Sequence, residues 1–182
     1  MRTFILLLIA IPFMGFAVYN SIDPNSRDAD INKTKYAHAE IFSNGTSGVS
    51  GKLEFHKVAG GVHISGTISG LTPGLHGMHI HEKGVCDGPG FESAGGHFNP
   101  DMSKHGGPDS ARRHAGDYGN ILANDYGTAY IDYIDRESSL RGKYSILGRS
   151  IVVHEKADDM MTDPSGNSGS RLGCGVIIPG RK

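Results

Sequence analysis

From Tyr36 onward the chain runs in short stretches that alternate apolar and polar residues and break at glycine, a pattern of period two rather than the helical 3.6. Residues 51–58 read GKLEFHKV and residues 62–68 read VHISGTI, each carrying its apolar side chains at every second position, as strands buried on one face do. Residues 59–61 (Ala-Gly-Gly) supply a hairpin turn between them, and residues 71–74 (LTPG) turn the chain into a third run at 74–82. Further strands are expected at 116–123, 127–134, 150–154 and 174–178. Glycine fills 27 of 182 positions, about twice its usual share of ~7%. That abundance weakens helix interiors and suits tight turns. The expected fold is all-β, an eight-stranded Greek-key barrel or sandwich.

Two stretches interrupt the rhythm. Residues 84–113 are dense in Gly, Pro, Asp and His, and residues 155–173 form a second polar, glycine-containing segment. Loops of this length inside a small domain usually carry function.

Residues 4–19 hold no charge, follow Arg2 and precede a polar stretch, which is the layout of a secretory signal. The run is shorter than the ~20 residues that span a bilayer, and Pro12 interrupts it, so a cleaved signal is favoured over a membrane tether through residues 4–19. Residues 20–35 read as a flexible leader and 36–182 as one domain. A secreted or extracytoplasmic location follows. Eighteen Lys+Arg against nineteen Asp+Glu give a net charge of −1, so no nucleic-acid partner is expected. Cys86 and Cys174, an even pair in an exported chain, read as a disulfide, with zinc ligation as the alternative. Asn32 and Asn44 begin glycosylation sequons.

Ten histidines are the unusual surplus. His79 and His81 stand two apart on an expected strand, so both rings project from one face toward a common point. His97, His105, His114 and Asp117 crowd a loop that has no apolar core of its own to order it, and a metal supplies such order. Three imidazoles and a carboxylate suit Zn²⁺; an all-imidazole set completed by His154 suits Cu²⁺. His76 is expected to be a buried, hydrogen-bonded turn residue. His38, His56 and His63 read as strand or loop residues without a role.

From Tyr36 to Ile178 the chain resembles the copper/zinc superoxide dismutases. The resemblance rests on residues 77–82 (GMHIHE), 93–100 (SAGGHFNP), 104–108 (KHGGP), 113–117 (RHAGD), 148–155 (GRSIVVHE) and 166–175 (GNSGSRLGCG). It implies one copper per chain on His79, His81, His97 and His154, and one zinc per chain on His97, His105, His114 and Asp117. His97 would bridge the two ions and supply a proton to the product. Asp158 would link a copper ligand, His79, to a zinc ligand, His105, and Cys86 would pair with Cys174. The implied reaction converts superoxide to oxygen and hydrogen peroxide by alternate reduction and reoxidation of the copper. Arg171 would attract the substrate anion beside it. A homodimer is implied by the same likeness. The alternative is a domain of this fold that binds or delivers copper without turnover; such domains lack a copper histidine or the arginine, and here all are present. The segment 155–173 is shorter than in cytosolic animal members and places Met160, Met161, Asp163 and Pro164 where they carry a Glu pair and a Lys. Electrostatic steering is therefore expected to be weaker or differently built.

Overall fold

The computed structural model describes residues 33–180. The signal expected at 1–19 and the leader up to residue 32 lie outside the described residues, as does the sequon at Asn32. Nine strands follow in order: β1 Tyr36–Ser43, β2 Ser50–Val58, β3 Gly61–Ser69, β4 Gly74–His81, β5 Asp117–Ala123, β6 Ala129–Asp135, β7 Ser150–His154, β8 Arg171–Val176 and β9 Ile178–Gly180. Every pairing is antiparallel. The order β2-β3-β6-β5-β4-β7-β8-β1 closes through β1–β2 into an eight-position barrel, and β9 extends the β8 position along the lower part of β1. The β3–β6 and β4–β7 neighbours are the Greek-key crossovers.

The last strand differs from the expected 174–178. It starts at Arg171, three residues earlier, and breaks at Ile177, whose N–H donates to Arg149 O and whose carbonyl accepts from Gly148 N–H. A backbone group committed to the 148–149 turn has nothing left for β1. At Asn44 the sequon amide is engaged: Nδ2 donates to Arg171 O at 3.1 Å, while Oδ1 accepts from Thr46 and Ser47.

Strand parity decides what faces the core. Leu53 and Phe55 on β2, Val62, Ile64 and Ile68 on β3, Met78 and Ile80 on β4 and Ile151 and Val153 on β7 fill the barrel, all fully buried. Each such side chain contributes roughly 1.5–3 kcal/mol relative to exposure. The opposite parity on β4 and β7 is buried too. His79, His81, Val152 and His154 lie under the two long loops, with Val152 packed on Phe91, Ala94 and Cys174 in a second cluster. The expected loops thus form a layer over one side of the barrel, and the histidines occupy the seam.

Candidate metal centre

Neighbouring β4 and β7 register His79 opposite Val152, and a shift at the end of β7 sets His154 opposite Arg171 on β8. His97, in the 84–113 loop, joins β4 through an isolated bridge to His81. Loop and strands thereby bring His79, His81, His97 and His154 together, with one ring nitrogen of each within 4.8 Å of the others, all buried. A second set, His97, His105, His114 and Asp117, meets the same description and shares His97.

Which nitrogen faces the common point follows from hydrogen-bond chemistry, since a carbonyl or carboxylate opposite a ring nitrogen requires that nitrogen to donate. His79 Nε2 donates to Asp158 Oδ2 at 2.7 Å, leaving the Nδ1 lone pair. His81 Nδ1 donates to Gly95 O at 2.9 Å and His154 Nδ1 to Gly169 O at 3.3 Å, leaving Nε2 in each. Among the described residues seven buried side-chain polar atoms lack a partner, and five are the histidine nitrogens His79 Nδ1, His81 Nε2, His97 Nε2, His105 Nδ1 and His154 Nε2. Orphans are costly in a protein interior, and their convergence fits a bound cation.

The second set argues the same way. Asp117 Oδ1 stands 2.8 Å from His97 Nδ1, 3.0 Å from His105 Nδ1 and 3.1 Å from His114 Nδ1. One oxygen with two lone pairs faces three ring nitrogens. With metal bonds of about 2.0–2.1 Å, the edges of a tetrahedral site measure about 3.3 Å, so these spacings are near those of a ligand shell. Asp117 Oδ2 is occupied separately, accepting from His114 N–H at 2.9 Å and Gly106 N–H at 3.1 Å. The strand shapes this end: the β4–β5 register slips between Gly77/Asn120 and His79/Asp117. The bulge holds Gly119 at φ +71°, a conformation glycine adopts freely, and turns Asp117 toward the loop.

Asp158 ties the sets together, with Oδ2 on His79 and Oδ1 accepting from His105 Nε2 at 2.8 Å. Its own backbone is clamped by Asn120, which accepts from Asp158 N–H at 2.7 Å and donates to Asp158 O at 2.8 Å. Gly166, at φ +63°, passes so close that a Cβ there would overlap the Asp158 carboxylate. His76 is buried and bonded as expected, to His154 O at 2.8 Å and Thr72 O at 2.9 Å. Cys86 and Cys174 are joined, resolving the earlier choice in favour of the disulfide. Arg171 donates to Phe91 O at 2.6 Å and Gly95 O at 2.7 Å.

Sequence reasoning missed the bracing. Arg113 donates to the carbonyls of His114 and Asp117 and pairs with Asp135 at 2.7 Å, while Asp163 accepts the His105 N–H. Arg113 opens the RHAGD segment, so its proximity to the ligands was visible; its direction and its partner on β6 were not. Asn120 carried no signal at all.

The two sets differ in charge. Burial holds His81 and His154 well below the usual imidazole range and brings His97 down to about 4, with neighbouring histidines adding to the effect, so these rings are neutral at pH 7. Burial also disfavours the charged form of His105, but the carboxylates of Asp117 and Asp158 on either side of the ring outweigh it and raise its pKa to about 10. Asp117 and Asp158 are opposed by burial in turn, yet their histidine partners, His105 first, hold both far below the carboxylate range. The metal-free second set therefore carries a proton that an incoming cation must displace. Zinc affinity in a chelator-buffered titration is expected to rise about tenfold per pH unit from pH 7 toward 10, and a flat profile would refute this.

Residues 49–177 match the family model described as copper/zinc superoxide dismutase (SODC). The chain is 47% identical over 133 residues to the extracellular superoxide dismutase [Cu-Zn] of Caenorhabditis elegans, covering 70% of this chain and 60% of that protein's length. It is 47% identical over 140 residues to superoxide dismutase [Cu-Zn] 3 of Arabidopsis thaliana, covering 73% and 85% of the two chains. The extracellular superoxide dismutase [Cu-Zn] of Brugia pahangi is 44% identical over 156 residues, covering 81% and 77%. Among solved structures the clock protein EA4 is similar, with a TM-score of 0.74 and 40% identity over 80% of this chain and 95% of that one.

Proposed function

The chain belongs to the copper/zinc superoxide dismutase family, and on that premise we propose that its domain, residues 36–182, disproportionates superoxide to oxygen and hydrogen peroxide outside the cytoplasm. The observation that carries the reading is the convergence of the four unpartnered nitrogens of His79, His81, His97 and His154 beside a second set that shares His97. Copper fits the all-imidazole set and zinc the set closed by Asp117. When bound, the copper supplies a one-electron couple that accepts an electron from one superoxide and returns it to a second, while the zinc, without redox chemistry, orders the loop and sets the acidity of His97.

The protein's own residues do the rest. His97, held at Nδ1 beside Asp117, is the ring that takes up a proton at Nε2 and passes it to the reduced product. Asp158 holds His79 and His105 in fixed tautomers, so that the two sets keep their spacing. Arg171, anchored on Phe91 O and Gly95 O, keeps a permanent positive charge beside the His81–His154 pair and draws in the small anion. Arg171→Ala is expected to lower kcat/KM about tenfold and to flatten its dependence on ionic strength, as measured by stopped-flow at low and high salt. An unchanged salt profile would remove Arg171 from that role.

An extracellular location is supported by the names of the nematode relatives and by the disulfide. Among the described residues no helix is long and apolar enough to cross a membrane. A homodimer is supported by a run of exposed apolar side chains around β1. Phe42 lies opposite Cys174, the bridge partner of Cys86, which is next in sequence to Val85, and Ile178 pairs with His38 on the same strand. Phe42→Asp is expected to sediment as a monomer where the parent sediments as a dimer. The reading as a whole is tested by superoxide removal by the purified protein with its copper and zinc content measured. Tight copper binding without turnover would replace it with a copper carrier.

A further inference from the structure

A cavity of about 540 Å³ opens beside the all-histidine set, with Gly169 and Arg171 among its walls. Gly169 O holds His154, and Gly95 O holds both His81 and the Arg171 guanidinium, so these walls stand one carbonyl away from two members of the set. The 84–113 loop lines the same cavity with Pro89, Gly90 and Glu92, and Glu92 is exposed.

The loop is shaped to hold the Glu92 carboxylate there. Phe91 stands at φ +55° and ψ +30°, the left-handed region that a bulky side chain rarely enters. Its buried ring packs with Ala94, Val152 and Cys174 and lies edge-on to Phe42, with centroids 5.8 Å apart. Its carbonyl takes the Arg171 Nη1 bond at 2.6 Å. The turn thus buries residue 91 and sends residue 92 outward. Gly90 leaves the space that the carboxylate fills, since a Cβ on residue 90 would overlap Glu92 Oε1. A glutamate that only meets solvent needs no such cradle.

Arg171 and Glu92 set a cation and an anion on one small cavity. Burial lowers Arg171 from the usual guanidinium range, and the Glu92 carboxylate works against that shift. Arg171 spends its bonds on Phe91 O and Gly95 O, so Glu92 acts on the approach to the guanidinium through space. Glu155 and Lys156, beside Gly169, carry opposite charges and largely offset each other.

We propose that Glu92 is a specificity-determining residue at the mouth of the site: it repels dianions such as phosphate from Arg171 more strongly than it repels a singly charged substrate. The inference rests on the reading that Arg171 draws in superoxide. Coulomb energy scales with the product of the charges, so the factor by which Glu92 hinders a dianion is about the square of the factor for a monoanion. By the same rule Arg171 alone favours the dianion, and Glu92 offsets that preference. Salt screens both effects.

The test uses the full chain loaded with copper and zinc, with inorganic phosphate at pH 8 as the probe and a fixed low ionic strength. Phosphate is titrated while the Arg171 Nε–H signal is followed by NMR with the copper reduced, a readout that needs no turnover. Glu92→Gln is expected to bind phosphate about fourfold more tightly than the parent and to raise kcat/KM for superoxide about twofold. Glu92→Lys should move both further in the same direction, phosphate again by the larger factor. Equal phosphate affinity in the parent and Glu92→Gln, or the same gain for phosphate as for superoxide, overturns the proposal. A parent that removes no superoxide defeats the reading of the function, whereas the phosphate comparison decides on Glu92 either way.

Discussion

His154→Ala is expected to remove superoxide at least 100-fold more slowly than the parent while retaining its zinc. Loss of a partner outside the ligand shell of a metal site costs about 10–100-fold in affinity or activity, and His154 is proposed to stand inside it. Its Nδ1 is spent on Gly169 O, so Nε2 is the only atom it offers to the copper set, and it belongs to no other set. Asp117, His105 and His114 are untouched by the change. Measured side by side at equal zinc content, the two proteins separate redox failure from loss of folding. A variant as fast as the parent would remove His154 from the copper site.

The second large effect falls on stability. Asp117→Asn is expected to lose zinc by more than 100-fold in affinity and to destabilise the metal-free protein by about 3–5 kcal/mol, the usual cost of stripping one partner from a buried charged cluster. Asp117 is fully buried, faces three imidazole nitrogens with one oxygen and accepts two backbone N–H groups on the other. An amide of the same shape must turn its NH₂ toward one of these groups, donor against donor, and it leaves the charge on His105 with Asp158 alone. Denaturant unfolding of both proteins after metal removal reads the difference. Equal midpoints would show that the cluster is organised by its metal and not by Asp117.

What could be read from the sequence follows from how local each signal is. Alternation across 51–58 and 62–68 located β2 and β3 within a residue because each strand presents one face to the core. His79 and His81 obey the same parity, so their shared face was legible too. The final strand was not. RLGCGV has three apolar side chains separated by glycine, and its start depends on Arg171 finding His154 on the neighbouring strand β7. Asp158 and Asp159 show the limit most plainly: adjacent, identical in type and in a polar loop, they differ only in what the fold brings to them. Asp158 meets Asn120 and two histidines. Asp159 accepts from Thr162 and Met161 within its own turn, which holds its carboxyl down to about 2. Only the family resemblance distinguished them beforehand. The outward histidines of β1, β2 and β3 were likewise visible as residues, but a strand's neighbour is a long-range fact that no single stretch of sequence states.

The link between the 84–113 loop and β8 has a consequence in time. Two kinds of tie join them: the Cys86–Cys174 bond and the hydrogen bonds from Arg171 to Phe91 O and Gly95 O. Gly95 O also fixes the tautomer of His81. Before oxidation the loop is fastened there by hydrogen bonds alone, each contributing about 1.5–3 kcal/mol for a charged donor. Closing the 88-residue span restricts the unfolded chain by a further ~4 kcal/mol. Maturation therefore has an order. The barrel packs on its apolar side chains in any surroundings, whereas the Arg171 guanidinium and the Gly95 carbonyl that bonds His81 gain their covalent support only in an oxidising milieu. The loop over the metal centre is thus held by a covalent tie only where the surroundings are oxidising.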